Sequence, residues 1–136
     1  MDLLLFAVPG IPEVTPGTDL GSLIAGAVSQ SGRRVEAGDV IIVAQKVVSK
    51  AEGAMVRLDD VTPTLAATQW AAITGRDARL VEVILRESTR IVRMERGILI
   101  AETRHGFICA NAGVDASNVA PGFVIVLPQD PDASAE

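Results

Sequence analysis

The chain has 136 residues, 49% of them hydrophobic and 21% charged, with one cysteine and 12 Lys+Arg against 17 Asp+Glu for a formal charge of -5. The apolar fraction is too high and the charge too small for intrinsic disorder, and a chain of this size buries roughly two thirds of its unfolded surface, enough for a core without disulfides or a structural metal. The acidic balance disfavours nucleic acid and membranes as partners, since both recruit basic surface first.

The apolar runs at 3–8, 40–44 and 123–127 fall far short of the roughly 20 residues of a spanning helix and read as buried strands. Met1-Asp2 offers no basic n-region and Pro9-Gly10 ends the first run, so no signal peptide is expected. A cytoplasmic location follows, with Cys109 as a buried reduced thiol. In chain order, 2–8 is a strand entering a Pro/Gly-rich loop that ends at Gly17. Thr18 caps a helix whose Leu20, Ile24, Ala27 and Val28 share a face, and Gly32 stops it. A turn at Ala37-Gly38-Asp39 leads into 40–44, read as a central strand.

Thr62-Pro63 opens a helix packed through Leu65, Ala66, Trp70 and Ile73 and ended by Gly75. Asp77 caps the next, which carries Leu80, Val83, Ile84 and Glu87 and an i,i+4 pair, Glu82 with Arg86. From Arg90 the period changes to two. Runs at 91–95, 98–103 and 107–110, separated by Arg96-Gly97 and His105-Gly106, predict an antiparallel meander. A further strand at 123–127 precedes a solvated acidic tail at 128–136. The expected fold is mixed α/β (α+β): a short parallel or mixed sheet with helices, followed by the meander.

Every basic residue is arginine except Lys46 and Lys50, four apart just beyond the run at 40–44. In a strand or in a helical turn the pair shares a face, and two adjacent ammonium groups suit an anion such as phosphate. Two merely exposed lysines account for the pattern equally well. The loop Gly10-Ile11-Pro12-Glu13-Val14 follows a predicted strand end, where open α/β sheets place ligands, although most such loops are only turns. Neither a Walker loop nor Gly-x-Gly-x-x-Gly is present. In the string Asn111-Ala112-Gly113-Val114-Asp115-Ala116-Ser117-Asn118, Asp115 offers a hard oxygen for magnesium or manganese and Asn118 a hydrogen-bonding amide. An Asx turn is the commoner fate of such strings. His105 and Cys109 are too few for a zinc site and make a weak nucleophile pair.

Taken together, the 10–14 loop, the stretch 39–53 with Ser49-Lys50-Ala51-Glu52-Gly53, the stretch 103–118 and the string Asp130-Pro131-Asp132-Ala133-Ser134-Ala135-Glu136 resemble the coenzyme F420:L-glutamate ligase family, in order and almost end to end. The resemblance implies GTP-dependent, GDP-forming addition of L-glutamate through γ-linkages to a coenzyme F420 precursor, by way of an acyl phosphate. It implies that Ile11, Pro12, Glu13, Val14, Gln45, Lys46, Lys50 and Asn118 face the nucleotide, and that Asp115 binds a divalent metal, magnesium or manganese. A monovalent cation and a homodimer are further implications. Gln45 stands where some members carry serine. The actinobacterial branch, which the segment at 103–107 most resembles, joins this domain to a nitroreductase-like one. Members continue beyond the 130–136 string for roughly another domain's worth of chain, including an Asp-Thr-Asn-Gly-Arg-like segment that completes the metal site. The chain is therefore expected to be the N-terminal part of a ligase domain. The alternative is a short, non-catalytic nucleotide-binding or assembly module that needs a separate chain to complete the site.

Overall fold

The computed structural model describes residues 3–95 and 97–135, so Asp2, Arg96 and Glu136 of the predicted strand, turn and tail lie outside the described residues. The elements in chain order are α1 Leu20–Gln30, α2 Gln45–Ala51, β1 Met55–Arg57, α3 Leu65–Thr74, α4 Ala78–Arg86, β2 Ser88–Glu95, β3 Ile98–Thr103, β4 Ile108–Ala110, β5 Phe123–Ile125 and α5 Pro131–Ala135. They fall into two compact units, Met1–Gly53 with Asp130–Glu136, and Ala54–Gln129.

In the first unit, α1 begins one residue later than Thr18 predicts. Asp19 is the cap: its carboxylate accepts from the Ser22 amide at 3.0 Å and the Ser22 hydroxyl at 2.7 Å, bonds that lower its pKa. Thr18 instead closes the preceding turn, donating to the Thr15 carbonyl at 2.7 Å. Ala27 and Val28 are the buried positions of α1. The runs at 3–8 and 40–44 correct the sequence reading: neither is a strand, and Leu3 is 95% exposed and Val40 and Ile42 each 81%. A strand exists only through a paired neighbour, which an apolar composition does not supply. The predicted solvated tail contains the short exposed helix α5, where Asp130 accepts from the Asp132 and Ala133 amides at 3.2 and 3.1 Å.

The second unit has two sheets, β1 with β5 and β2-β3-β4, and every pairing among the described residues is antiparallel. The mixed α/β class and the meander stand; the parallel or mixed sheet does not. β1 has no strong signature of its own and forms because Met55, Val56 and Arg57 pair with Ile125, Val124 and Phe123. The core gathers Val61, Val83, Ile84, Leu99, Ala101, Ala112, Val114 and Val124. Ile84, Ala101 and Val124 are wholly buried.

Helix α3 starts after Thr64, two residues past the expected cap, and ends as predicted at left-handed Gly75. Its packed face is Ala67 and Ala71 with Trp70, while Leu65 and Ile73 point out. The two alanines let the helix approach Val81 of α4 closely, which bulkier residues at those positions would prevent. The predicted pair forms, Arg86 Nε lying 2.9 Å from Glu82 Oε1. The other oxygen of buried Glu82 accepts from the Thr64 amide at 2.9 Å and its hydroxyl at 2.7 Å. Those Thr64 bonds, then Arg86, hold the Glu82 pKa below the usual carboxylate range.

Candidate functional site

The candidate residues are split between the two units. Lys46 and Lys50 lie on α2, so the helical of the two open geometries holds and the pair shares one face. The Lys50 side chain is only 13% exposed, and its ammonium group donates to the carboxylate of Glu13, which is 77% exposed. A second tie fastens the same loop to the same helix: the Gly17 amide donates to the Ala51 carbonyl at 2.7 Å. Gly53, at φ +70, follows the helix, and a β-carbon placed there would meet the Pro16 ring at 3.7 Å. The loop and the lysine helix thus form one assembly, and Glu13 meets Lys50 although 37 positions separate them.

Within that assembly Ile11 and Pro12 are exposed, whereas Val14 is buried. A buried side chain contributes packing, so Val14 offers a ligand its backbone alone. Gln45 turns back along its helix, its amide nitrogen 2.5 Å from the hydroxyl of Ser49, which is wholly buried. Ser49 is the residue that the sequence reading did not single out. A small hydroxyl one position before Lys50, on the inner face of a short helix, was the available signal.

Asp115 and Asn118 belong to the second unit. Before them, Asn111, Ala112 and Gly113 take φ of 54°, 52° and 77°, three left-handed residues in succession. Alanine tolerates that conformation poorly, and Ala112 is also wholly buried. The Asn111 carboxamide accepts from the Arg76 guanidinium at 2.7 Å, anchoring the turn to the end of α3. Gly113 is required sterically as well, because a β-carbon there would sit 2.7 Å from Leu127. The chain then pairs back, with Asp115 exchanging both backbone bonds with Ile125 at 3.0 and 2.8 Å.

Both Asp115 oxygens are engaged locally, one with the Ser117 amide at 2.7 Å and the other with its hydroxyl at 3.0 Å. This is the Asx turn weighed in the sequence. Among the described residues no group of three His, Cys, Asp or Glu comes together as a metal cage. A lone, partly exposed carboxylate of fixed backbone fits magnesium or manganese in one mode only, with phosphate oxygens and water supplying the other ligands. Asn118 is exposed, with φ of 57°.

His105 Nε2 lies 3.1 Å from the Gln129 carbonyl oxygen, so that nitrogen carries the proton, while Nδ1 is buried without a partner among the described residues. Cys109 is half-buried in β4, less enclosed than its apolar neighbours suggest.

Residues 10–136 match the family described as F420-0:Gamma-glutamyl ligase. A coenzyme F420:L-glutamate ligase of Methanothermobacter thermautotrophicus is 46% identical over 136 residues, all of this chain and 54% of the relative. One of Methanopyrus kandleri is 52% identical over 128 residues, 94% of this chain and 49% of the relative. One of Archaeoglobus fulgidus is 40% identical over 136 residues and covered over 52% of its length. The chain spans about half the length of the curated relatives it matches.

Proposed function

The chain belongs to the F420-0:Gamma-glutamyl ligase family, and we propose that it supplies the phosphate-handling part of a GTP-dependent ligase joining L-glutamate, through a γ-linkage, to a coenzyme F420 precursor. The observation that carries the reading is the pair of lysines on one face of α2, with Lys50 sheltered and held by Glu13 of the adjoining loop. A sheltered ammonium group loses less of its attraction for phosphate to water than an exposed one, and its position is set before the ligand arrives. Glu13 holds Lys50 aimed until phosphate oxygens replace or share the contact.

A carboxylate is a poor electrophile toward an amine. In the proposed reaction an oxygen of the precursor's carboxylate attacks the γ-phosphorus and GDP departs. The glutamate amine then attacks the acyl carbon, losing its proton as phosphate leaves. Both steps move phosphoryl charge, so Lys46 and Lys50 act by positioning and charge neutralisation, and no protein nucleophile takes part. A divalent ion at Asp115 would add charge neutralisation of the same kind.

The test is titration of GTP, with magnesium or manganese present, into the wild type, Lys50→Ala and Asp115→Ala, followed by a glutamylation assay. Loss of one sheltered phosphate contact is expected to weaken GTP binding by about tenfold or more in Lys50→Ala. Equal affinity in all three proteins overturns the nucleotide reading. The span of about half the relatives' length favours a second form of it. In that form the chain binds nucleotide without turning over until a further polypeptide segment completes the site, and it is recognised by GTP binding without glutamylation.

A further inference from the structure

We propose that Ser134 and Glu52 are positioning residues for the phosphate site: their hydrogen bond fixes the end of α2 that carries Lys50. The proposal rests on the nucleotide reading and adds to it a segment, 130–134, that the reading leaves without a role. Helix α2 has seven residues, and among the described residues no side chain caps its start at Ala44. So short a helix is marginal by itself, and its place in the fold depends on what holds it from outside. Three consecutive residues at its far end are each held by a distant segment of the same unit. Glu13 holds Lys50, the Gly17 amide holds the Ala51 carbonyl, and Ser134 holds Glu52 from 82 positions away. The first two ties come from the 10–17 loop, the third from the segment that re-enters the unit at Asp130.

The third tie is organised by its own turn. Asp130 accepts from the amides of Asp132 and Ala133, Pro131 takes the first helical position with no amide to satisfy, and the Ser134 amide donates to the Asp130 carbonyl at 3.1 Å. That turn presents the Ser134 hydroxyl, whose one proton is shared between the Asp130 carbonyl at 2.9 Å and Glu52 Oε1 at 2.5 Å. The charged and nearer oxygen is the stronger acceptor. Helix stability does not account for Glu52. It occupies the C-cap of α2, where the negative end of the helix dipole opposes a carboxylate, so its favourable contact is the one outside the helix. Lys50 lies two residues earlier, and a shift of this end by about 1 Å is enough to misplace the ammonium group against phosphate.

The test titrates GTP, with magnesium present, into the wild type, Ser134→Ala, Ser134→Thr, Lys50→Ala and the double variant, and follows amide hydrogen exchange of each without nucleotide. Ser134→Ala, with unchanged circular dichroism, is expected to weaken GTP binding by about threefold to tenfold, less than Lys50→Ala does. The Glu52 and Gly53 amides, which donate back to the Val48 and Lys50 carbonyls, should exchange about threefold faster or more in it. Ser134→Thr keeps the hydroxyl and restores both. Because Ser134 acts through Lys50, its removal weakens binding no further in the Lys50→Ala background; an equal loss there marks general destabilisation and overturns the proposal. If Ser134→Ala loses its native circular dichroism, Glu52→Ala, which removes the acceptor instead, is read in its place. Unchanged exchange at Glu52 and Gly53 also overturns the proposal. Normal GTP binding by Ser134→Ala beside weakened binding by Lys50→Ala overturns the positioning role alone, whereas equal affinity in the wild type and Lys50→Ala overturns the nucleotide reading and this role with it.

Discussion

Two apolar runs of nearly the same composition meet opposite fates in the two units. Ile98, Leu99, Ile100 and Ala101 form the middle strand of the meander, with Leu99 and Ala101 buried and Ile98 exposed. Val40, Ile41, Ile42 and Val43 form no strand and stay largely outside. The difference lies in where partners come from. β3 lies close in sequence to β2 on one side and to β4 on the other, so both neighbours arrive at little entropic cost. Among the described residues the run at 40–42 pairs with no other segment. Strand-like composition is therefore no substitute for a paired neighbour, and β1 pairs without it.

The sharpest way to break that comparison is to truncate both runs' environments and compare the costs. Ile84→Ala, in the core beneath the meander, is expected to lose about 3 to 4 kcal/mol in urea unfolding, whereas Ile42→Ala stays within about 0.5 kcal/mol. Similar losses would mean that the 40–42 run is buried in solution. Gly113→Ala comes next: it forces a β-carbon into Leu127 at a left-handed position, and a loss of about 2 kcal/mol is expected in the same assay.

Glu82 supplies a pH test confined to the second unit. Its folded-state pKa lies below the unfolded value, so its stabilisation is complete above the unfolded pKa and disappears as pH falls through the folded one. Glu82→Gln should cost about 1 to 2 kcal/mol near neutrality and flatten the acid limb of melting temperature against pH. An unchanged limb would assign the acid sensitivity to other carboxylates. The smallest expected effect is at Asn111, where alanine removes the Arg76 bond but keeps the strained turn. A loss of about 1 kcal/mol is predicted, with Asn111→Gly recovering part of it.

Local signals were legible where the chemistry is local. Gly75 ends α3 in the left-handed region, Asp77 caps α4, Glu82 pairs with Arg86, and the period-two run after Arg90 becomes β2 and β3. The caps of α1 and α3 missed by one and two residues because several neighbouring side chains can cap and only packing selects among them. The face of α3 was misread for a related reason: the alanines win the interior because the partner helix comes close, a fact about α4 and not about α3. Of the candidate site, the shared face of Lys46 and Lys50 was readable from spacing alone. The Glu13 contact that shelters Lys50 was not, since nothing in a sequence measures how a loop folds back across 37 positions. The run of left-handed residues at 111–113 was half visible in Asn111 and Gly113, which favour that conformation, and hidden in Ala112, which does not.

The ordered motifs carried a family resemblance that the relatives bear out, and composition and short-range spacing decided the mixed α/β class, the ends of α1 and α3, the start of α4 and the meander. Those depend on interactions within a few residues, where backbone sterics and side-chain periodicity dominate. Tertiary structure alone decided which apolar runs become strands, which face of α3 is inside, and that Glu13 meets Lys50. Each of these depends on a partner distant in the chain, and the free energy that selects it comes from burial and pairing, which no local pattern contains.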